Sequence, residues 1–147
     1  MKGKVLYLIK SVNLGIQLIA DPLLRDVSLT VTQYELLAIV RANDGLANAD
    51  IARDLGISPQ SVGEQVSVLE RKGFLVRQKG LDNRKIRRLA LTPSALAVME
   101  SADDVVDQLQ QRLLAGLNKA DEARMVAALK HLRTSCRELA LDDLKSL

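Results

Sequence analysis

The sequence predicts a mainly α-helical fold carrying one small β-hairpin, and three observations predict it. Nearly half of the 147 residues are apolar, yet only Tyr7, Tyr34 and Phe74 are aromatic. The core must therefore be built from Leu, Val, Ile and Ala, a composition that favours helix. Apolar residues recur at three- and four-residue steps along most of the chain, the period of an amphipathic helix. A single pair of short alternating runs, separated by turn residues, breaks that pattern in the middle.

The elements follow in order. Val5, Leu8, Val12, Ile16, Ile19 and Leu23 form one stripe of a first helix, from about Lys2 to Leu24, which Pro22 should bend or end. In "TVTQ", Thr30 and Gln33 have the spacing of a capping box, so a second helix should run to about Ala42, stopped by "NDG". Asn48 should open a short third helix, "ADIARDL", ending at Gly56. Ser58 should cap a fourth helix with Pro59 in its first turn, where a missing N–H costs nothing. That helix should reach Lys72 and end at Gly73. "FLVRQK" and "IRRLAL" read as strands joined by "GLDN". Thr92 and Pro93 repeat the cap-then-proline signal and start a helix to about Leu114. Asn118 opens the last helix, to about Leu141. The last two helices carry stripes of their own: Leu96, Met99, Ala102, Val106, Leu109, Leu113 and Leu117, then Met125, Leu129, Leu132, Cys136 and Leu139. Near-heptad seams of this kind call for a partner helix.

The net charge of +3 is unevenly spread. Nine Lys/Arg and four Asp/Glu lie between Arg53 and Arg88, a balance of +5 that leaves the rest at −2. A basic middle between mildly acidic ends is the footprint of a polyanion-binding module with accessory helices; a merely solvated charged face is the alternative. No apolar run approaches the ~18 residues of a membrane span. The apolar start, "MKGKVLYLIKSVNLG", is broken by Lys10, Ser11 and Asn13, and reads as a cytoplasmic amphipathic helix instead of a signal peptide. One cysteine excludes an internal disulfide and fits a reducing compartment.

Function is carried by the order helix, tight turn, helix, hairpin. Across "IARDLGISPQSVGEQVSVL", Ala52 lets two helices approach and Gly56 permits a left-handed turn. Ile57, Val62, Val66 and Leu69 pack the second helix on the first. This is a helix-turn-helix pattern, whose second helix would lie in a DNA major groove. Ser58, Pro59, Gln60, Ser61, Glu64, Gln65, Ser67 and Arg71 are its candidate contacts, with Gln60, Ser61, Glu64, Ser67 and Arg71 facing outward. Such side chains suit base edges and phosphates, although an ordinary helical hairpin would also have a polar surface. In the wing, "RKIRR" gathers four cations. Arg84 is the candidate for a narrow minor groove, whose negative potential attracts arginine. Lys85, Arg87 and Arg88 would hold phosphates, and Asp82 would brace the wing through Arg87. Strand alternation should turn Leu89 and Leu91 inward and Arg88 and Ala90 outward.

"LTVTQYELLAIV", "ADIARDLGISPQSVGEQVSVLERKGFLVRQ" and "DNRKIRRLALTPSALAVM" resemble, in order and spacing, the MarR family of bacterial transcription regulators. The resemblance implies a winged helix-turn-helix at residues 30–92, with residues 1–29 and 93–147 forming a helical dimerisation region. It implies a homodimer on a pseudo-palindromic DNA operator, most often as a repressor. It also implies release by a small aromatic or phenolic ligand, with Tyr34, Arg41 and Tyr7 as candidate contacts; core tyrosines with satisfied hydroxyls are the alternative. Two departures stand out. The family wing usually carries Asp-Arg-Arg, where this chain has Asn83, Arg84 and Lys85, with Asp82 one place early. The recognition helix often carries a basic residue where Glu64 stands and a hydroxyl where Gly63 stands.

Other chemistry finds little footing. Cys136 lies on an apolar stripe with no resolving cysteine, so a packed structural thiol is expected over a redox-sensing regulator. His131 and Cys136 are five apart, poor spacing for two metal ligands on one helical face. No Ser-His-Asp set, phosphate loop or paired carboxylate suggests an enzyme, and no cofactor is called for. The rival class is a winged-helix protein-interaction module that binds no DNA.

Overall fold

The computed structural model describes residues 2–43, 46–79 and 87–145. In chain order the elements are α1 (Lys4–Arg25), α2 (Val31–Ala42), α3 (Asn48–Leu55), α4 (Pro59–Arg71), β1 (Leu75–Lys79), β2 (Arg87–Leu91), α5 (Pro93–Leu113) and α6 (Lys119–Lys145). The chain divides into two compact units, Met1–Asp107 and Gln108–Leu147.

Local chemistry sets most element ends. Thr30 Oγ1 accepts from the Gln33 backbone N–H at 3.2 Å and Gln33 Oε1 accepts from the Thr30 N–H at 3.3 Å, the reciprocal capping box. Ser58 Oγ accepts from Ser61 N–H at 3.1 Å, and Pro59 takes the first helical position of α4. Thr92 caps α5 through Ala95 N–H, and Asn118 caps α6 through Asp121 N–H. Gly56 and Gly73 both adopt the left-handed conformation after α3 and α4, at φ of 67° and 74°. Asn48 differs from expectation: it is the first residue inside α3, Ala47 occupies the N-cap, and no side chain caps that helix. Pro22 does not end α1, which continues through it to Arg25.

The first unit has one core, to which α2, α3, α4, the hairpin and parts of α1 and α5 contribute. Leu36, Leu37, Ile51, Val62, Val66, Leu69 and Met99 are fully buried. At about 1.5–3 kcal/mol for each large aliphatic side chain, these residues supply the main driving force. β1 and β2 pair antiparallel, Leu75 opposite Leu91 and Arg77 opposite Leu89. Leu89 is buried, Leu91 packs against the core and Arg88 is exposed, as expected, while Ala90, expected outward, is half-buried.

Of the apolar stripes expected to be left for a partner, that of α1 is exposed in the single chain and that of α5 is divided. On α1 the face that packs on the core is Ala20 and Leu24, while Val5, Leu8, Val12, Ile16, Ile19 and Leu23 are exposed. On α5 the core-facing residues are Ala95, Met99 and Ala102, and Leu96 is exposed. In the second unit Met125, Leu129 and Leu139 are exposed, and so is Cys136, which is not packed away within the single chain.

One buried polar side chain links several elements. Gln33 is 6% exposed. Its Nε2 donates to Gln65 Oε1 at 3.2 Å, and its Oε1 also accepts from Lys72 Nζ at 2.9 Å. Lys72 Nζ donates in addition to Ser28 O, in the α1–α2 turn, where Ser28 has φ of 68°. The amide thus ties the start of α2 to the middle and end of α4. Gln33→Leu should leave the Thr30 N–H, Lys72 and Gln65 without this partner. We expect a loss of about 1–3 kcal/mol, read by urea denaturation; an unchanged midpoint would show that the network carries no stability.

Candidate nucleic-acid interface

The rotation of α4 follows from its apolar residues. Val62, Val66 and Leu69 are wholly buried against α2, α3 and the strand start. The opposite face then points to solvent: Gln60, Glu64 and Arg71 are exposed, and Ser61 and Ser67 are half-buried beside them. Gln60, Gly63, Glu64, Ser67, Val68 and Arg71 line a shallow open groove along this face. Ser58 Oγ and Ser61 Oγ lie 2.9 Å apart at the N-terminus of α4, next to Pro59, where the helix dipole favours an anion.

Gln65 is turned away from this set. Its side-chain oxygen accepts from buried Gln33, so it supports the seating of α4. Ser67 Oγ donates back to Gly63 O at 2.9 Å, one turn earlier. Gln60 Nε2 donates to Glu64 Oε1 at 3.4 Å. Glu64 therefore has a neutral partner on its own helix. Gly63 costs the middle of a helix about 1 kcal/mol relative to Ala. A methyl group built there would meet only Asn48 Nδ2, at 3.9 Å, an ordinary contact.

The hairpin is braced against α4. Arg77 Nε on β1 donates to Glu70 Oε1 at 2.9 Å. Thr92 Oγ1, after β2, donates to Gly73 O at 2.6 Å, closing the base of the hairpin on the turn that follows α4. The base of the hairpin is thereby fixed to the end of α4. Arg88 is exposed on β2. Arg87 is paired in the strand register with Lys79. Asp82, Arg84 and Lys85 lie outside the described residues, as does any contact between Asp82 and Arg87.

The candidate ligand residues Tyr34 and Arg41 come together, on a partner that sequence reasoning missed. Tyr34 Oη donates to Asp103 Oδ1 at 2.9 Å. Arg41 holds the same carboxylate with two bonds, to Oδ2 at 2.8 Å and to Oδ1 at 3.1 Å. Tyr34 and Arg41 are seven residues apart and so share one face of α2, and Asp103 reaches them from α5. Tyr7, exposed on α1, is not in this hydrogen-bonded set. The bonds from Arg41 and Tyr34 hold the Asp103 carboxyl below the usual carboxylate range, against the opposing effect of desolvation. Burial, followed by the bond to Asp103, pushes the Tyr34 phenol up to about 12. Among the described residues no group of three or more His, Cys, Asp or Glu could hold a metal ion. None of the described helices is long and apolar enough to cross a membrane.

Residues 29–86, from the last turn before α2 into the hairpin, match the family model described as MarR family. Over those residues the chain is similar to the MarR family. Over 99 residues it is 26% identical to a Thauera aromatica protein provisionally assigned as the transcriptional regulator of an hcr operon; the match covers 67% of this chain and 60% of that protein's length. Three solved structures are similar. The transcriptional regulator SlyA is 25% identical, with a TM-score of 0.81 over 91% of this chain and 94% of that one. A DNA complex of MepR from S. aureus is 26% identical, with a TM-score of 0.75 over 88% and 94%. A MarR-family protein of Mycobacterium tuberculosis in complex with p-aminosalicylic acid is 25% identical, with a TM-score of 0.72 over 86% and 95%. The chain thus shares the fold of these structures, a winged helix-turn-helix with additional helices, as the sequence predicts.

The Asp103 cluster gives a direct test. Asp103 stabilises the fold as an anion, so its contribution is full above the ordinary Asp range and is lost as pH falls through its lowered folded value. Tyr34 stabilises it as the neutral phenol, so its contribution is full below 10.0 and is lost as pH rises through about 12. With two tyrosines and no tryptophan, phenolate absorbance follows both phenols cleanly. Asp103→Asn should bring the higher titration down towards the ordinary value without reaching it, because burial is the larger cause. An unmoved titration would mean that Asp103 does not hold Tyr34 in solution.

Proposed function

We propose that this protein is a dimeric, DNA-binding transcription regulator of the MarR type, acting as a cytoplasmic repressor whose hold on DNA is modulated by a small organic ligand. The observation that carries the reading is the exposed polar face of α4, held in a fixed rotation by its buried opposite face and flanked by a basic wing. The similarity to a MepR–DNA complex supports it. In this reading α4 enters the major groove, with Gln60, Ser61, Glu64, Ser67 and Arg71 towards base edges and phosphates. Ser58 and Pro59 bring the helix N-terminus to the backbone. Arg84 enters the minor groove, and Lys85, Arg87 and Arg88 neutralise phosphates.

Dimerisation follows from the apolar faces. The exposed stripe of α1 and the exposed residues of α6 are more contiguous apolar surface than a lone soluble chain ordinarily leaves uncovered. A two-fold pairing of chains covers both and sets two recognition helices about one helical turn of DNA apart, roughly 34–36 Å. Sedimentation should show a dimer at micromolar concentration. A stable monomer that still binds operator would overturn this part of the reading.

The ligand reading rests on Tyr34 and Arg41, with Tyr7 as a further candidate, and on similarity to a complex with p-aminosalicylic acid. Asp103 adds a condition: a ligand carboxylate that takes Arg41 must displace the carboxylate already there. Aromatic acids or phenols at ~100 times their dissociation constant should stabilise the protein by about 2.7 kcal/mol. A screen of such compounds with no thermal shift would remove the ligand from the account.

The decisive experiment is fluorescence anisotropy with the protein's own upstream DNA over a salt series. Lys85→Ala and Arg88→Ala should weaken every duplex about equally. Each should flatten the log-log salt slope by about 0.9 for every phosphate that a subunit no longer neutralises. Arg84→Ala should lose most on A·T-rich flanks, because it reads groove width. Wild-type slopes and affinities in all three variants would show that the wing does not touch DNA and would favour a protein-interaction module.

A further inference from the structure

The turn between α1 and α2 holds the one left-handed residue other than glycine among the described residues, Ser28, at φ of 68°. It closes α1 in the pattern of a Schellman motif: Leu29 N–H donates to Leu24 O at 2.9 Å, and Ser28 N–H donates to Arg25 O at 2.9 Å. Glycine is the usual residue at such a position, because a Cβ crowds the following carbonyl there. Leu24 and Leu29, on either side of Ser28, are both fully buried. The elbow is thus anchored by apolar burial in a conformation that serine itself disfavours.

A distant side chain holds this elbow. Lys72, which ends α4, donates through Nζ to Ser28 O at 2.9 Å and to Gln33 Oε1 at 2.9 Å. Two of its three ammonium hydrogens are therefore spent inside the chain, one just before α2 and one in its first turn. Asp21 makes a second tie: its Oδ1 accepts from the N–H of Val31, the first residue of α2, at 3.0 Å. α1 is fastened to α2 by Asp21, and the turn between them is fastened to α4 by Lys72. α1 is also the helix whose apolar stripe, Val5, Leu8, Val12, Ile16 and Ile19, is left exposed.

By charge alone, Lys72 counts among the cations between Arg53 and Arg88 that attract a polyanion, yet its bonds run inward. We propose that Lys72 is a positioning residue: it locks the α1–α2 elbow to the end of α4, and so fixes the half-site separation that a dimer reads, without binding phosphate itself. This rests on the dimeric DNA-binding reading above, in which the partner chain covers α1 while α4 lies in the major groove. The elbow stands between those two commitments. One added base pair moves a half-site by about 3.4 Å and turns it by roughly 35°. A locked elbow rejects that displacement, and a slack one accommodates it.

The test is fluorescence anisotropy of the full-length protein on its operator, and on duplexes with one base pair added or removed between the half-sites, each over a salt series. Wild type should prefer the native spacing. Lys72→Met keeps an unbranched apolar stem and loses the donor. It should reduce that preference on the order of ten-fold, the bias that one hydrogen bond to a charged group gives an equilibrium. Its salt slope on the native operator should equal that of wild type, whereas a lost phosphate ligand would flatten the slope by about 0.9 per phosphate. Lys72→Ala serves the same test if Lys72→Met does not fold. Equal weakening at all three spacings would leave Lys72 a purely structural residue, and a flattened slope would make it a phosphate ligand; either overturns the inference while DNA binding stands. Wild-type affinity and preference in the variant would overturn it as well. If wild type shows no preference among the spacings, the dimeric reading fails, and if it binds no duplex, the DNA-binding reading fails; the inference falls with either.

Discussion

Burial of Val62, Val66 and Leu69 is the constraint on which the rest depends. A helix that places three aliphatic residues wholly inside a core has no rotational freedom left. The loss of even one, by truncation to Ala, costs about 2–5 kcal/mol for Leu. With the inner face committed, the opposite face is decided as well, and Gln60, Glu64, Ser67 and Arg71 stand towards solvent because the helix is held from behind. The polar ties refine this seating. Gln33 fixes the middle of α4 through Gln65 and its end through Lys72. Glu70 and Gly73 then pass the position of α4 on to the hairpin, through Arg77 and Thr92.

The same interactions join α2 to α1, α4 and α5. The start of α2 is held to α1 by Val31 N–H on Asp21 Oδ1, to α4 by Gln33, and further along the helix to α5 by Asp103. A change in the spacing of α2 and α5 would act on Arg41 and Tyr34 at one point and on Gln33 at another. Because α2 is a single helix, the displacement would be carried along it to α4. Asp103 has a double part in such a device: it holds the two helices together, and it occupies the cation that an acidic ligand would need.

The legible parts of the fold were those decided within a few residues. The caps at Thr30, Ser58, Thr92 and Asn118 are local pairings of a side chain with an amide three residues on, and the structure contains all four. The rotation of α4 was legible because three apolar residues at steps of four and three define one face. The α1 stripe was legible as apolar surface that the single chain leaves uncovered, but periodicity does not say which residues meet the chain's own core. Ala20 and Leu24 meet the chain's own core, and the longer stripe is left outward. Asp103 was beyond reach for a similar reason. Three aspartates stand within five residues on α5, and only the packing of α5 on α2 selects one of them for Arg41. Gln33 was visible as a capping partner, but its bonds to Gln65 and Lys72 join distant parts of the chain and leave no local signal.

In the proposed function the outward face of α4 reads the DNA major groove from two subunits at once. Methylation interference on the operator tests it most directly, because methylation at guanine N7 blocks the major groove and methylation at adenine N3 blocks the minor groove. The account predicts guanine N7 interference in two patches about one helical turn, roughly 10–10.5 base pairs, apart, with adenine N3 interference confined to the flanks beneath the wings. Interference limited to the minor groove, or binding indifferent to both modifications, would contradict it.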